Sequence, residues 1–286
     1  LTTGRMVEAV DRDMVLGALG VRHATLEAVG SWEAVGADGR MHLLSAGGLL
    51  GRLTSVSGML ASPMRIEYAG HAIRNGTKVQ MQDFAQVPTK AQHYAVPTIV
   101  IVGTSMSAGK TTSAKVIVRQ LKRAGHRVVG TKLSGAGRLR DILAMKDAGA
   151  DAVFDFVDVG LPSSILAAVE FRKRLHDLLG LIAEAKPDVV VAELGASPLE
   201  PYNGDTALEL IQSTVAMTVL CASDPYAVLG VMSAYHMMRP DLVAGVATST
   251  SAGVEVVEKL SGASALDILD RASLPKLRER LADALA

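Results

Sequence analysis

One stretch constrains the chain more than any other. Val96-Pro97-Thr98-Ile99-Val100-Ile101-Val102 is a short apolar run. It leads into Gly103-Thr104-Ser105-Met106-Ser107-Ala108-Gly109-Lys110-Thr111-Thr112, and then into a helical run from Ser113 to Ala124. The pattern predicts a buried strand, a glycine-bounded loop and a helix. Gly103 and Gly109 permit backbone angles and close approaches that a side chain would block. Loop amides then point inward and form a concave anion site, and the helix N-terminus adds free N–H groups and a positive dipole end. The alternative is a plain Gly-Ser turn between a core strand and a helix; motif and context together favour a phosphate-binding loop.

In that loop Lys110 is placed to reach the β- and γ-phosphates of a nucleotide, and the Thr111 hydroxyl to ligate Mg²⁺. Five residues separate Gly103 from Gly109, one more than in the common Gly-x4-Gly-Lys-[Ser/Thr] pattern, and Thr104 holds the usual glycine place. This variant, Gly-Thr-x4-Gly-Lys-Thr, resembles the loop of dethiobiotin synthetase and its ATPase relatives. The resemblance spans roughly residues 96–250 and implies ATP and Mg²⁺ as cofactors. Ser105, Met106, Ser107, Ala108, Gly109, Lys110, Thr111 and Thr112 would then bind nucleotide. The signature lysine of the septum-site ATPases, five before Lys110, is replaced by Ser105, which points to the metabolic branch of that superfamily rather than to a partner-activated switch.

Composition sets the outer bounds. The chain has 286 residues, 49% hydrophobic and 20% charged, enough for a real core and for two modest domains. Net charge is zero and aromatics are 3%, so neither a polyanion-binding surface nor a base-stacking surface is expected. Cys221 is the only cysteine, which excludes an internal disulfide and fits a reducing cytoplasm. No apolar run reaches transmembrane length and no signal-peptide pattern opens the chain. It begins at Leu1 rather than methionine, which leaves open whether residues are missing or processed upstream.

Residues 1–94 read as a smaller β-rich domain. A helix is predicted from Met6 to Leu19, followed by short strand-like runs: Thr25 to Val29, Trp32 to Val35, Met41 to Leu44, Arg65 to Ala69 and Lys78 to Gln82. Asn75-Gly76 predicts a hairpin. His23, His42, His71 and His93 are too scattered for a ligand cluster, and no catalytic motif is recognisable in this part. Pro88 to Pro97 reads as a linker. From 95 to 286 strands and helices alternate, which predicts an α/β fold: a P-loop parallel sheet flanked by helices. Its strands are placed at 127–131, 188–192, 215–221 and 242–247 after the first. Helices are predicted over 163–185, capped by Ser163-Ser164, and over 274–286, opening at Pro275.

In an open parallel sheet ligands lie beyond the carboxyl ends of the strands. Lys132 follows the second strand in Lys132-Leu133-Ser134-Gly135. By resemblance to the Lys-Pro-Val-x-Ser-Gly of dethiobiotin synthetase it is a catalytic lysine beside Lys110; as a lone residue it could simply cap a strand. Asp141, by resemblance to a family aspartate, and Glu193, as an acid at a strand tip, join Thr111 as candidate metal ligands. Arg138 and Arg140 could clamp an anion or sit exposed. Asp224 could touch substrate or a partner subunit, but capping the helix at Pro225 is the favoured reading, and Cys221 is expected to be a core residue. Asp155 and Asp158 fall near the same edge with no assigned part. Thr248-Ser249-Thr250 stands where relatives often carry an adenine-reading asparagine, which leaves the base open. The resulting expectation is an ATP- and Mg²⁺-dependent enzyme that phosphorylates a carboxylate or carbamate for ligation. A nucleotide-dependent regulator or chaperone and a small-molecule kinase are the alternatives. A small-molecule acceptor is expected, with no nucleic acid and no membrane. By resemblance, a homodimer is expected.

Overall fold

The computed structural model describes residues 8–90, 93–195, 197–235 and 239–286. Six strands form one parallel sheet: β9 (Thr98–Gly103), β10 (Val128–Ser134), β11 (Ala152–Asp155), β12 (Val189–Leu194), β13 (Val215–Cys221) and β14 (Leu242–Ala244). Their spatial order is β11-β10-β12-β9-β13-β14, which sets the phosphate-loop strand β9 between β12 and β13.

Strands buried on both faces show no polar alternation, yet their residues still divide between two cores. Ile99, Ile101, Val128, Val189, Val191, Met217 and Val219 face one side. There they pack on α1 (Lys110–Arg123), α2 (Leu139–Asp147) and the closing helix, α7 (Leu274–Leu285), through Ile117, Leu121, Met145, Leu277 and Leu281. Val100, Val102, Val129, Leu133, Val190, Ala192 and Leu220 face the other. That side is covered by α3 (Ala168–Glu184), α4 (Gly204–Ile211), α5 (Pro225–Ala234) and α6 (Ser251–Ser261).

The first part of the chain forms an antiparallel sheet in the order β2-β3-β5-β4-β6: β2 (Val21–His23), β3 (Ala28–Ser31), β4 (Arg40–Ser45), β5 (Leu49–Val56) and β6 (Arg65–Glu67). A short β1 (Ala18–Leu19) pairs in parallel with β5. The hairpin of β7 (Ile73–Arg74) and β8 (Thr77–Lys78) turns on Asn75 and Gly76, both at positive φ (51° and 79°), as an Asn-Gly turn requires.

Several expectations are corrected. No helix forms over 8–19; the chain is irregular there until β1, and Met6 and Val7 lie outside the described residues. Trp32–Ala34 is a 3₁₀ turn rather than a strand. The strand expected at 242–247 ends at Ala244, and Val246–Thr248 turns. The helix expected from Ser163 starts at Ala168. Ser163-Ser164 does not cap it, because the buried Ser164 hydroxyl accepts from Gly135 N (2.7 Å) and donates to Tyr202 O (2.7 Å). The strands at 127–131 and 188–192 run on through Ser134 and Leu194, so Lys132 and Glu193 are strand residues, not loop residues. Among the described residues no helix is long and apolar enough to cross a membrane.

The two sheets meet at the carboxyl edge of the parallel one. Leu44 and Leu49 of the first sheet pack with Ala136 and Tyr202 from loops at that edge, flanked by Leu53, Met106 and Ile165.

Candidate nucleotide-binding site

The site is built by continuing the α1-facing columns of the sheet one step further. Each apolar column ends in a different group: Asp155 on β11, Lys132 on β10, Glu193 on β12, Gly103 on β9 and Cys221 on β13. Register places Asp155, Lys132 and Glu193 side by side across three strands, and Gly103 beside Cys221. Neighbouring strands lie about 4.8 Å apart, so three ionisable side chains form a row on the face that carries α1.

At Gly103 a Cβ would lie 2.9 Å from the Lys110 side chain, so the bare backbone is what lets Lys110 fold back over the loop. Its Nζ donates to Ser105 O at 2.6 Å. Gly109, the N-cap of α1, has φ +102°, a left-handed angle that favours glycine. Gly245, φ +92°, supports the loop from behind, and a Cβ there would lie 2.2 Å from Ala108 O. These are the strand, loop and helix of a P-loop. Burial lowers the Lys110 pKa, Glu193 opposes that shift, and Lys132 adds to it.

Thr111 Oγ1 donates to Glu193 Oε2 at 2.9 Å. A hydroxyl at the helix start and a buried carboxylate on the neighbouring strand are the hard oxygen donors that Mg²⁺ takes alongside phosphate oxygens and water. Among the described residues no group of three or more His, Cys, Asp or Glu side chains gathers to hold a metal. Thr111 and Glu193 are the pair that would hold a divalent ion here, together with oxygens of its ligand. Asp141, the third candidate metal ligand, faces Lys132: Nζ lies 2.5 Å from Asp141 Oδ2 and 3.2 Å from Ala136 O. Burial works against the Lys132 charge, but Asp141 and then Glu193 outweigh it and hold the pKa above the ordinary lysine value.

Asp155, given no part by sequence, is buried beside Lys132, and its Oδ1 accepts from Val157 N at 2.7 Å. Burial, and then Asp158, push its pKa up to about 7 against the pull of Lys132. Asp224 caps α5, accepting from Tyr226 N and Ala227 N (2.9 and 3.0 Å). Cys221 is a core thiol, pushed up to about 11 by burial.

No protein-family model and no curated protein sequence matches this chain. Among solved structures it is similar to the hydrogenase maturation factor HypB from Archaeoglobus fulgidus, with 14% identity over 68% of this chain and 92% of that one and a TM-score of 0.45. It is similar to chloroplast FtsY from Physcomitrella patens, with 13% identity over 72% and 70% and a TM-score of 0.42. It is also similar to a DUF1611 family protein from Anabaena variabilis, with 16% identity over 71% and 63% and a TM-score of 0.41.

The β-rich N-terminal part carries no recognisable motif, yet its residues reach the loop. Glu27 Oε1 accepts from Ser107 Oγ at 2.9 Å, Arg22 pairs with Glu27, and Arg22 Nη2 lies 3.7 Å from Met106 Sδ. His23 N donates to Tyr202 Oη at 2.8 Å, and Thr25 N and Oγ1 both donate to Glu200 Oε1 (2.9 and 2.6 Å). No local pattern announces these contacts.

Proposed function

We propose that the chain is an ATP- and Mg²⁺-dependent enzyme that phosphorylates a carboxylate or carbamate of a small molecule, for a ligation of the dethiobiotin synthetase kind. The observation that carries this reading is the Thr111–Glu193 pair at the mouth of the phosphate loop, with Lys132 next to it in register. That arrangement supplies metal donors, an anion-binding hollow and a second cation within one row.

The acceptor oxygen would attack the γ-phosphorus in line. The bond from that phosphorus to the β–γ bridging oxygen breaks, and its electron pair leaves with ADP. An amine or other nucleophile then displaces inorganic phosphate from the acyl phosphate. Mg²⁺, when bound, offsets charge on the β- and γ-oxygens. Lys110 binds the same phosphates from the loop. Lys132, held by Asp141, stands where the acceptor and the moving phosphoryl group meet, and its fixed charge favours the loaded transition state. The loop amides position the nucleotide, which is most of what phosphoryl transfer asks of a protein. A homodimer in the cytoplasm completes this reading.

A second reading, a nucleotide-dependent regulator, is favoured by the contact of the N-terminal domain with the loop tip through Glu27 and Ser107. Product analysis separates the two. The full chain is incubated with Mg-ATP and pools of carboxylic acids and amines, and products are read by mass spectrometry. A new C–N bond with ADP and phosphate supports ligation. A stable phosphorylated product means a kinase. ATP hydrolysis stimulated by a protein and by no metabolite refutes the proposal in favour of regulation.

A further inference from the structure

The loop tip carries no charge of its own. Ser105, Met106 and Ser107 are neutral, Glu193 adds a negative charge, and Lys132 is committed to Asp141. A triphosphate tail bears about four negative charges at neutral pH, and a transferring γ-phosphoryl group spreads its share over three oxygens. Lys110, and Mg²⁺ when bound, offset part of that charge; a further cation at the tip comes from outside the parallel sheet, and it is Arg22, itself paired with Glu27.

Arg22 lies in β2, and the structure pins that strand in place. It pairs with Gly30 of β3, while the neighbouring His23 and Thr25 are tied to Tyr202 and Glu200 in the loop after β12. The side chain is only 15% exposed. Its Nη1 donates to Leu44 O at 2.6 Å and its Nη2 pairs with Glu27. Nη2 also meets the Met106 sulfur, a weak acceptor, at 3.7 Å. Its Nε is buried with no hydrogen-bond partner among the described residues. A guanidinium has five donors in a planar fork that suits phosphate, and here part of that fork is spent on a thioether or on nothing. Glu27, in turn, touches the loop through Ser107. Joining two sheets does not call for such a group, since apolar contacts of similar size do this without burying an unmatched donor.

We propose that Arg22 binds the terminal phosphate of a nucleoside triphosphate and stabilises it during transfer, with Glu27 holding the guanidinium at the loop tip until phosphate oxygens compete for it. The proposal rests on the nucleotide reading above. As the γ-phosphorus–bridging oxygen bond breaks, the electron pair goes to ADP, and Arg22 faces the charge spread over the γ-oxygens. No proton moves to or from Arg22.

The test uses the full chain, with circular dichroism confirming the fold of each variant. Calorimetry measures Mg-ADP and a Mg-bound non-hydrolysable ATP analogue against wild type, Arg22→Lys, Arg22→Gln and Glu27→Gln. Arg22→Gln should weaken analogue binding about tenfold or more, the scale of a lost charge-assisted contact, while leaving Mg-ADP little changed. Arg22→Lys should recover part of the loss. Glu27→Gln should tighten the analogue, because the competitor for the guanidinium is gone. In thermal melts ADP with aluminium fluoride should stabilise wild type and not Arg22→Gln. Analogue and ADP affinities that fall in parallel in the Arg22 and Glu27 variants would show a structural join and overturn the proposal. So would an unchanged ratio in Arg22→Gln. If that variant does not fold, Glu27→Gln decides: tighter analogue binding supports the proposal, and equal or weaker binding overturns it. A wild-type protein that takes up no nucleotide removes the nucleotide reading and this one together.

Discussion

Asp155→Asn should make the protein more stable at neutral pH, and the gain should itself depend on pH. The side chain is 2% exposed, and its carboxyl keeps a proton up to about pH 7 in the fold. In the unfolded chain it would let go near the ordinary value of 3.8. Between those values the native state holds the extra proton, so its contribution to stability falls as pH rises, and the loss levels off above about 7. Each tenfold change in proton affinity is worth about 1.4 kcal/mol, so the ionised carboxylate costs the native state about 4 kcal/mol above pH 7. Asparagine is nearly the same shape, and its Oδ1 can still accept from Val157 N, now at 2.7 Å. It has no proton to lose. Urea unfolding of wild type and variant from pH 4 to 8.5 gives the difference curve: near zero at pH 4, rising through 5 and 6, and flat above 7 with the variant ahead. A difference that does not change with pH would refute the reasoning, as would a variant that is less stable throughout.

Lys110→Ala should remove nucleotide uptake measured by calorimetry while leaving the far-UV spectrum intact, since the side chain contacts the loop through Ser105 O and does not build the core. Gly245→Ala places a methyl 2.2 Å from Ala108 O at φ +92°; it should cost about 1–2 kcal/mol in strain and weaken nucleotide binding, read by urea unfolding and calorimetry. Tyr202→Phe removes the acceptor of His23 N; the expected loss is about 1 kcal/mol, with faster amide exchange at His23 in hydrogen-exchange measurements.

What sequence reveals and what it hides in this chain divides along physical lines. Strands buried on both faces announce themselves as unbroken β-branched runs, so β9, β10, β12 and β13 were legible. The loop was legible because its residues act through their own backbone and their nearest neighbours. The ends of β10 and β12 are less so: Lys132 and Glu193 read as loop residues because a charge normally ends a buried strand, whereas here the column continues and the charged residue lies within it. The edge strand β11 pairs only with β10, and its partly buried residues Ala152, Val153 and Phe154 ending in an acid gave no strand signal. The apolar residues of 8–19 suggested a helix, but Gly17 instead packs against Gly48 and Leu50, where a Cβ would lie 2.4 Å from Gly48 O. Ser163-Ser164 had the chemistry of a helix cap, and tertiary partners claimed it first.

Arg22 and Glu27 show the deeper limit. Their contacts in the phosphate loop lie 84 and 80 positions along the chain. Periodicity, capping and turn signals are all local, so a guanidinium that reaches the loop from a strand of the other sheet leaves no mark in either segment. The charge balance of the loop does leave one: apart from Lys110 its tip, Ser105 to Ser107, is neutral, Glu193 beside it is an acid and Lys132 is paired with Asp141. On the nucleotide reading, that balance is a reason to look in the adjoining antiparallel sheet for a further cation.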